Sequence, residues 1–543
     1  MSISFDKIKK NLSNRKITLI IILLAIASRV IQSIYFFNIR VDGMYQHLAT
    51  LNFINGHGIS TSYVLPADLS STIYEPLINW PPGYSLLLAP FYLLFNHNYI
   101  AAGITLDILA ATTLIVVTRK VLKLFETPVY LINIFTFLTS FFIYYFYFIA
   151  SSDAIAISIF ITGLYYTLSL LKTKKNWQAK TAGITISLIL CAAIKYLFFP
   201  VVFIIPVYLI IKGFADKEIK FKKAGIYSFI ITVLVSGALI LYQKNISGSI
   251  AYISQPERGF FPEHVLSAYP YIPASFIKPE TISLLFHLPL AIEIAIYRAF
   301  QLLHLILALS AIIFISKNIF NNRFRKLTLL SDYFYLVFFI SLTIAIVLLT
   351  LSLCVAKEEI LPGILWTYIE DPRYYGLIAV LIHIAVFILY SFYSHNTVRS
   401  LKYLFCFSLL LLLPEMFRGI LFTGNRIKNL KKEEYSWQRE DRFQKYAAAI
   451  IKKETKTGEK VIVTGSVYYM TGRISLYSDI AELKEVNEIN NISIFNTKEP
   501  ALLLIVLHEK DLTKFQSFRS QSENKFEGQF NGYYFFTLRI TPH

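Results

Sequence analysis

The chain has 543 residues, of which 55% are hydrophobic and 16% charged, with a formal net charge of +18 and a mean hydropathy of +0.54. A purely water-soluble globule is excluded, because a fold of this size could not cover so much apolar surface; long apolar runs between short basic clusters indicate a polytopic membrane protein. Nucleic acid is not the partner the charge points to, since the Lys and Arg sit between apolar runs, where membrane topology explains them.

The first apolar run, 17–37, follows Lys7, Lys9, Lys10, Arg15 and Lys16. It is long for a signal-peptide core and ends in Tyr35-Phe36-Phe37 without a small-residue cleavage site. It reads as a retained helix with a cytoplasmic N-terminus. Basic clusters recur at 119–123, 172–180, 212–223, 317–326 and 399–402. If all face the cytoplasm, an even number of crossings separates each neighbouring pair. Of the runs 80–95 and 98–118, only one can then cross. The first is short and opens on Trp80-Pro81-Pro82-Gly83, so it reads as an interfacial helix inside an external loop, 38–98.

A third helix, 128–149, delivers Ser151-Ser152-Asp153 to the external face, and a fourth, 154–171, returns. Residues 181–211 must hold two crossings with Lys195-Tyr196 near the outer turn. A helix at 224–242 leads to a second large external loop, 244–282, rich in Pro and Tyr. One crossing lies in 283–316, and further helices are expected at 331–354, 374–393 and 403–422. The result is an α-helical polytopic module of about eleven spans over 1–427. From 428 to 543 the composition becomes that of a soluble α/β domain, placed outside. Helix candidates there are 442–453 and 480–489, and strand candidates are 460–465, 474–478 and 501–508. The three cysteines, Cys191, Cys354 and Cys406, have neither metal-ligand spacing nor a disulfide pattern and read as structural.

Two acids are candidates for chemistry. Asp42 follows the first helix and Asp153 precedes the fourth. Each has a plain reading as a helix N-cap. Topology brings both to the external face, where two carboxylates can share base, metal-ligand and orienting duties. Arg373-Tyr374 lies at the external start of a helix behind Pro372. It reads either as a snorkelling Arg with a belt Tyr or as a donor fork for a lipid-linked phosphate. Lys195 has the same two readings. Arg258 and His264, among aromatics in the second loop, either contact sugar or phosphate or belong to a folded surface loop. Glu75 is a solvated loop acid or a holder of acceptor or metal, and His57, between two glycines, reads as a turn residue. No Walker A loop, His-Glu-x-x-His or Gly-x-Ser-x-Gly pattern occurs.

Asp42 with Tyr45, the Gly56-His57-Gly58 stop, Trp80-Pro81-Pro82-Gly83-Tyr84, the Ser152-Asp153 turn, Arg373-Tyr374 and the C-terminal Val461–Thr464 and Tyr469–Arg473 segments together resemble the GT-C superfamily of polyprenyl-phosphate-sugar glycosyltransferases. The likeness is to its protein O-mannosyltransferase and lipid A aminoarabinose transferase branches, and it is strongest over about the first 160 residues. Many relatives carry two adjacent acids in the first loop, whereas Asp42 is followed by Gly43. The resemblance implies transfer of a sugar from a polyprenyl phosphate to a lipid, glycan or protein acceptor at the outer face of the plasma (inner) membrane. It implies Asp42 as general base and the lipid phosphate leaving with inversion. A divalent metal, Mg or Mn, held by Asp42 and Asp153 is left open. The alternatives are a transporter or flippase of lipid-linked sugars, for which Asp107 and Glu293 are candidate intramembrane acids, and a scaffold for envelope glycans.

Overall fold

The computed structural model describes residues 5–37, 39, 41–142, 151–248, 260, 273, 278–320, 329–354, 358–361, 364–366, 372–393, 399–429, 436–466, 468–483, 494–515 and 524–542. In chain order the first helices are α1 (Phe5–Leu12), α2 (Arg15–Phe36) and α3 (Val41–Ile54), followed by strands β1 (Ser60–Leu65) and β2 (Asp68–Pro76). Next come α4 (Gly83–Leu94), α5 (Tyr99–Leu124), α6 (Val129–Ser140), α7 (Ser152–Lys172), α8 (Trp177–Ile194), α9 (Phe198–Val201), α10 (Ile204–Ala215) and α11 (Ile219–Ser247). They are followed by α12 (Pro279–Phe286), α13 (Leu290–Phe320), α14 (Leu329–Cys354), the short pair β3 (Glu358–Leu361) and β4 (Ile364–Trp366), α15 (Gly376–Tyr393) and α16 (Arg399–Asn429). The chain closes with α17 (Ser436–Glu454), β5 (Lys460–Gly465), α18 (Tyr468–Ser478), β6 (Ala481–Leu483), β7 (Ala501–His508), β8 (Lys525–Phe530) and β9 (Tyr533–Ile540).

Among the described residues, seven helical segments are long and apolar enough to cross a membrane: 15–36, 99–124, 152–172, 177–194, 198–215, 219–246 and 329–350. Shorter apolar helices occupy Gly83–Leu94, Val129–Ser140 and Gly376–Phe392. Helix α4 starts at Gly83, directly after Pro82, and has 12 residues. At about 1.5 Å per residue it is too short for a bilayer core of about 30 Å. Residues 177–215 hold the expected pair of segments, with Lys195 at the turn between them.

The described residues fall into two compact units. One comprises Met1–Ile34, Asp107–Tyr242 and Tyr252–Asn429, and it is helical apart from the β3–β4 pair. Its packing has the polarity expected in lipid. On α2, Leu19, Ile20, Leu23 and Leu24 are exposed, whereas Ser28, Arg29, Gln32 and Ser33 are buried. That polar stripe serves the end of α6, whose last carbonyls have no partner within the helix and no water to meet in a bilayer. Ser28 donates to the Ser140 carbonyl at 3.1 Å, and Arg29 to the Phe142 carbonyl at 2.7 Å. Arg119 donates to Thr136 at 2.7 Å and to Asn133 at 2.9 Å, tying α5 to α6.

The other unit comprises Tyr35–Leu106, Gln243–Ala251 and Leu430–His543. Its centre is a seven-stranded sheet in the order β2-β1-β6-β5-β7-β9-β8. β5 runs parallel to β6 and β7, and β1 runs parallel to β6, with Tyr63 opposite Glu482. β2, β9 and β8 are antiparallel additions. One face buries Val64, Ile462, Leu503, Ile505 and Leu538; the other buries Val463, Leu504, Val506 and Phe535 under Phe443, Ala447 and Ile450 of α17 and Ile474 of α18.

Three sequence expectations are corrected here. The sequence places one boundary at 428, but the first loop is part of the C-terminal sheet, because the β1–β2 hairpin supplies the strand that β6 would otherwise leave open at its edge. Residues 474–478 alternate like a strand yet lie in α18. They belong to the crossover between parallel strands β5 and β6, a connection that a hairpin cannot make and a helix can. Residues 481–483, expected in a helix, are strand β6, while 484–490 lie outside the described residues.

Candidate functional site

The first loop folds around α3. Its first turn contains Asp42, so the carboxylate sits where the helix dipole favours negative charge and is not the N-cap. One turn on, the Tyr45 ring stacks on Trp80, with centroids 5.9 Å apart and planes 22° off parallel. The opposite side of α3 is buried. Ser85 of α4 donates to the Gln46 carbonyl at 2.8 Å, and Asn52 to the Ser60 carbonyl at 2.8 Å. His47 is fully buried, its Nδ1 2.6 Å from the Tyr92 hydroxyl and its ring edge-on to Tyr84 and Tyr99. Burial holds the His47 imidazole down at about 3, so it is a neutral packing element. Tyr99 in turn donates to Gln444 of α17 at 2.6 Å. In sequence Trp80 belongs to the Pro-Pro run, and an aromatic one helical turn from the acid is the clue to its pairing with Tyr45.

A second cluster forms in the helical unit. α7 and α8 are an antiparallel pair that pack closely where Gly163 faces Ser187 and Gly183 faces Tyr166. Their geometry brings the start of α7 beside the end of α8. Ser151 is the N-cap of α7, accepting from the Asp153 amide at 3.2 Å, and its hydroxyl also donates to Asp153 Oδ2. The cap role thus falls to Ser151, and the Asp153 carboxylate is left to pair with Lys195, the C-cap residue of α8. The two side chains are 2% and 12% exposed. Lys195 Nζ also lies 4.8 Å from the ring centroid of Tyr374, a cation–π arrangement. Tyr374 sits on the 3-10 turn Pro372–Tyr375, which leads into α15.

Three of the residues singled out in sequence therefore meet: Asp153, Lys195 and Tyr374. Asp42 and Tyr45 share α3 in the other unit. Glu75 lies on β2, exposed and opposite Thr61. His57 stacks on Tyr74 at 3.8 Å, which suits its reading as a turn residue. Arg373 belongs to the same 3-10 turn as Tyr374, but its side chain lies outside the described residues, as do Arg258 and His264 altogether. A divalent metal does not fit Asp153 in this arrangement, because one oxygen is committed to Lys195 and the other to Ser151. Among the described residues no group of three or more His, Cys, Asp and Glu side chains is clustered to hold a metal ion.

These features define an α-helical polytopic membrane protein carrying a small mixed-sheet domain. In particular, the chain is similar to the apo crystal structure of ArnT from Cupriavidus metallidurans, with a TM-score of 0.53 and 10% identity over 96% of this chain and 97% of that one. The same enzyme bound to undecaprenyl phosphate matches at a TM-score of 0.49 and 9% identity, with the same coverage. The Archaeoglobus fulgidus oligosaccharyltransferase matches at 0.44 and 12% identity over 91% of this chain and 68% of its own. No family model matches the sequence. No curated protein matches it either.

Proposed function

We propose that the chain is a membrane glycosyltransferase that moves a sugar from a polyprenyl-phosphate donor to an extracytoplasmic acceptor with inversion. The observation that carries this reading is the buried Asp153–Lys195–Tyr374 cluster at the open end of the α7–α8 hairpin, in a chain of this fold. Asp42 takes the proton of the acceptor hydroxyl. The acceptor oxygen then bonds to the anomeric carbon from the face opposite the phosphate. The bond from that carbon to the phosphate oxygen breaks, and its electron pair leaves with the lipid phosphate. The departing group gains a negative charge, which a fixed cation stabilises without any strong acid. Lys195 supplies that charge, and Asp153 and the Tyr374 ring hold its ammonium in place. Arg373 is the second cation. Tyr45, Glu75, Arg258 and His264 belong to the acceptor and sugar side. The acceptor is a lipid, glycan or protein; the protein lies in the plasma (inner) membrane, with its N-terminus cytoplasmic and the sheet domain in the periplasm.

The test uses purified protein and a panel of undecaprenyl-phosphate-linked sugars, reading release of undecaprenyl phosphate. Release by the parent and its loss in Asp42→Asn support the reading; an Asp42→Asn rate equal to the parent's removes the base assignment. Activity that persists after chelation removes metal from the reaction. The transporter alternative draws on Asp107 and Glu415, which are buried within long helices. Movement of an intact sugar lipid across vesicles, without release, establishes it. Glu293 sits in the first turn of α13 and accepts from Ser283 at 2.8 Å.

A further inference from the structure

The backbone between α2 and α3 is short: Phe36 ends one helix and Val41 begins the other. Ile39 lies between them, 1% exposed. A buried carbonyl outside regular structure needs a donor from elsewhere in the fold. Here the donor comes from the C-terminal domain: Arg473 of α18, itself 9% exposed, donates from its guanidinium to the Ile39 carbonyl. The next contact lies one residue away along α18. Gly472 packs against the Met44 side chain so closely that a Cβ there would stand 2.5 Å from Met44 Cε. At the far end of α3, Asn55 donates to Asp479, just beyond α18, at 3.1 Å. α18 is in turn fixed to the sheet, because Thr471 donates to Glu482 of β6.

We infer that Arg473 is a positioning residue for Asp42: α18 lies along α3 as a splint, and the Arg473–Ile39 hydrogen bond holds the chain two residues before the helix that carries the acid. The inference rests on the proposed role of Asp42 for its catalytic meaning, and on the contacts alone for its structural one. An arginine suits the place because its planar fork reaches a carbonyl while remaining charged, and a glycine at the neighbouring position leaves room for the end of the Met44 side chain, two residues from Asp42.

The test is hydrogen exchange by mass spectrometry on the full chain in detergent, comparing the parent with Arg473→Ala and Arg473→Lys. Arg473→Ala is expected to speed exchange of amides 41–46 by about ten-fold or more while leaving β7, 501–508, unchanged; Arg473→Lys recovers part of the protection. Binding of undecaprenyl phosphate, used as the probe, stays within about two-fold of the parent. Unchanged exchange at 41–46 overturns the inference, and so does acceleration spread equally over β5 and β7, which would make Arg473 a general stabiliser of the domain. If exchange behaves as expected while Asp42→Asn keeps the parent rate of sugar release, the splint stands and the base assignment falls.

Discussion

Lys195 and Asp153 form an ion pair across the open end of the α7–α8 hairpin, the two side chains only 12% and 2% exposed. In so dry a setting the cost of desolvating both charges offsets much of their attraction, whereas removing one partner leaves the other stranded at a cost of about 3–5 kcal/mol. Lys195→Met is therefore expected to lower the melting temperature in detergent clearly. The double variant Asp153→Asn with Lys195→Met recovers most of that loss, yet sugar release remains absent from both. A Lys195→Met protein that melts like the parent would show that the pair does not hold the hairpin.

Asp42→Asn keeps the size of the side chain and removes its basicity. General-base catalysis contributes roughly 10²–10⁴-fold, and turnover should fall by that factor. Undecaprenyl phosphate binding, measured by native mass spectrometry, should not change. A parallel loss of lipid binding would assign Asp42 to substrate holding instead.

Ser151 does two jobs at one helix start, capping α7 and bonding the Asp153 carboxylate. Loss of a cap costs about 1 kcal/mol. Ser151→Ala should be destabilising by about that amount or somewhat more, and Ser151→Thr should retain the cap. Thermal melts of the two variants side by side check this.

Stability of the sheet-bearing unit should depend on pH in two opposite ways. Burial pushes the Glu482 carboxyl up to about 7 from an ordinary 4.5, with the Thr471 hydrogen bond opposing. Between those values the folded form holds more protons than the unfolded chain, so this contribution is lost as pH rises through 7. His47 is the reverse. Its folded value of about 3 lies below the ordinary 6.5, so the unfolded chain binds the extra proton and stability is lost as pH falls below 6.5. Between pH 4.5 and 6.5 the two slopes oppose one another, so melts from pH 4 to 8 should show stability rising with pH across that range in Glu482→Gln and falling with pH across it in His47→Gln. Stability that still falls as pH rises from 4.5 to 7 in Glu482→Gln would point to another group.

What could be read from sequence was local. Basic clusters located the helix ends, Ser-Ser-Asp marked the start of α7, and two helices were required on either side of Lys195. The missed features have long-range causes. β1 and β2 are short and polar on one side, and nothing near them in the chain signals that their partner is β6. Residues 474–478 have a strand's alternation but occupy a crossover, so topology overrode pattern. β8 and β9 carry a local signal: Asn531-Gly532 joins them with positive φ at both residues, 51° and 78°, as a two-residue hairpin turn requires. The roles of Trp80 and Arg473 depend on which surfaces meet, which no spacing encodes.

The hairpin in the sheet also dictates a timetable. β1 is synthesised roughly 420 residues before β6, the strand it must lie beside. At about 5–20 residues per second, that leaves it waiting on the order of 20–80 s during translation. For that interval its outer edge is a free template for pairing with other chains. A nascent protein that aggregates when elongation slows after residue 80, and is relieved by a proline on the β1 edge, would reveal that wait.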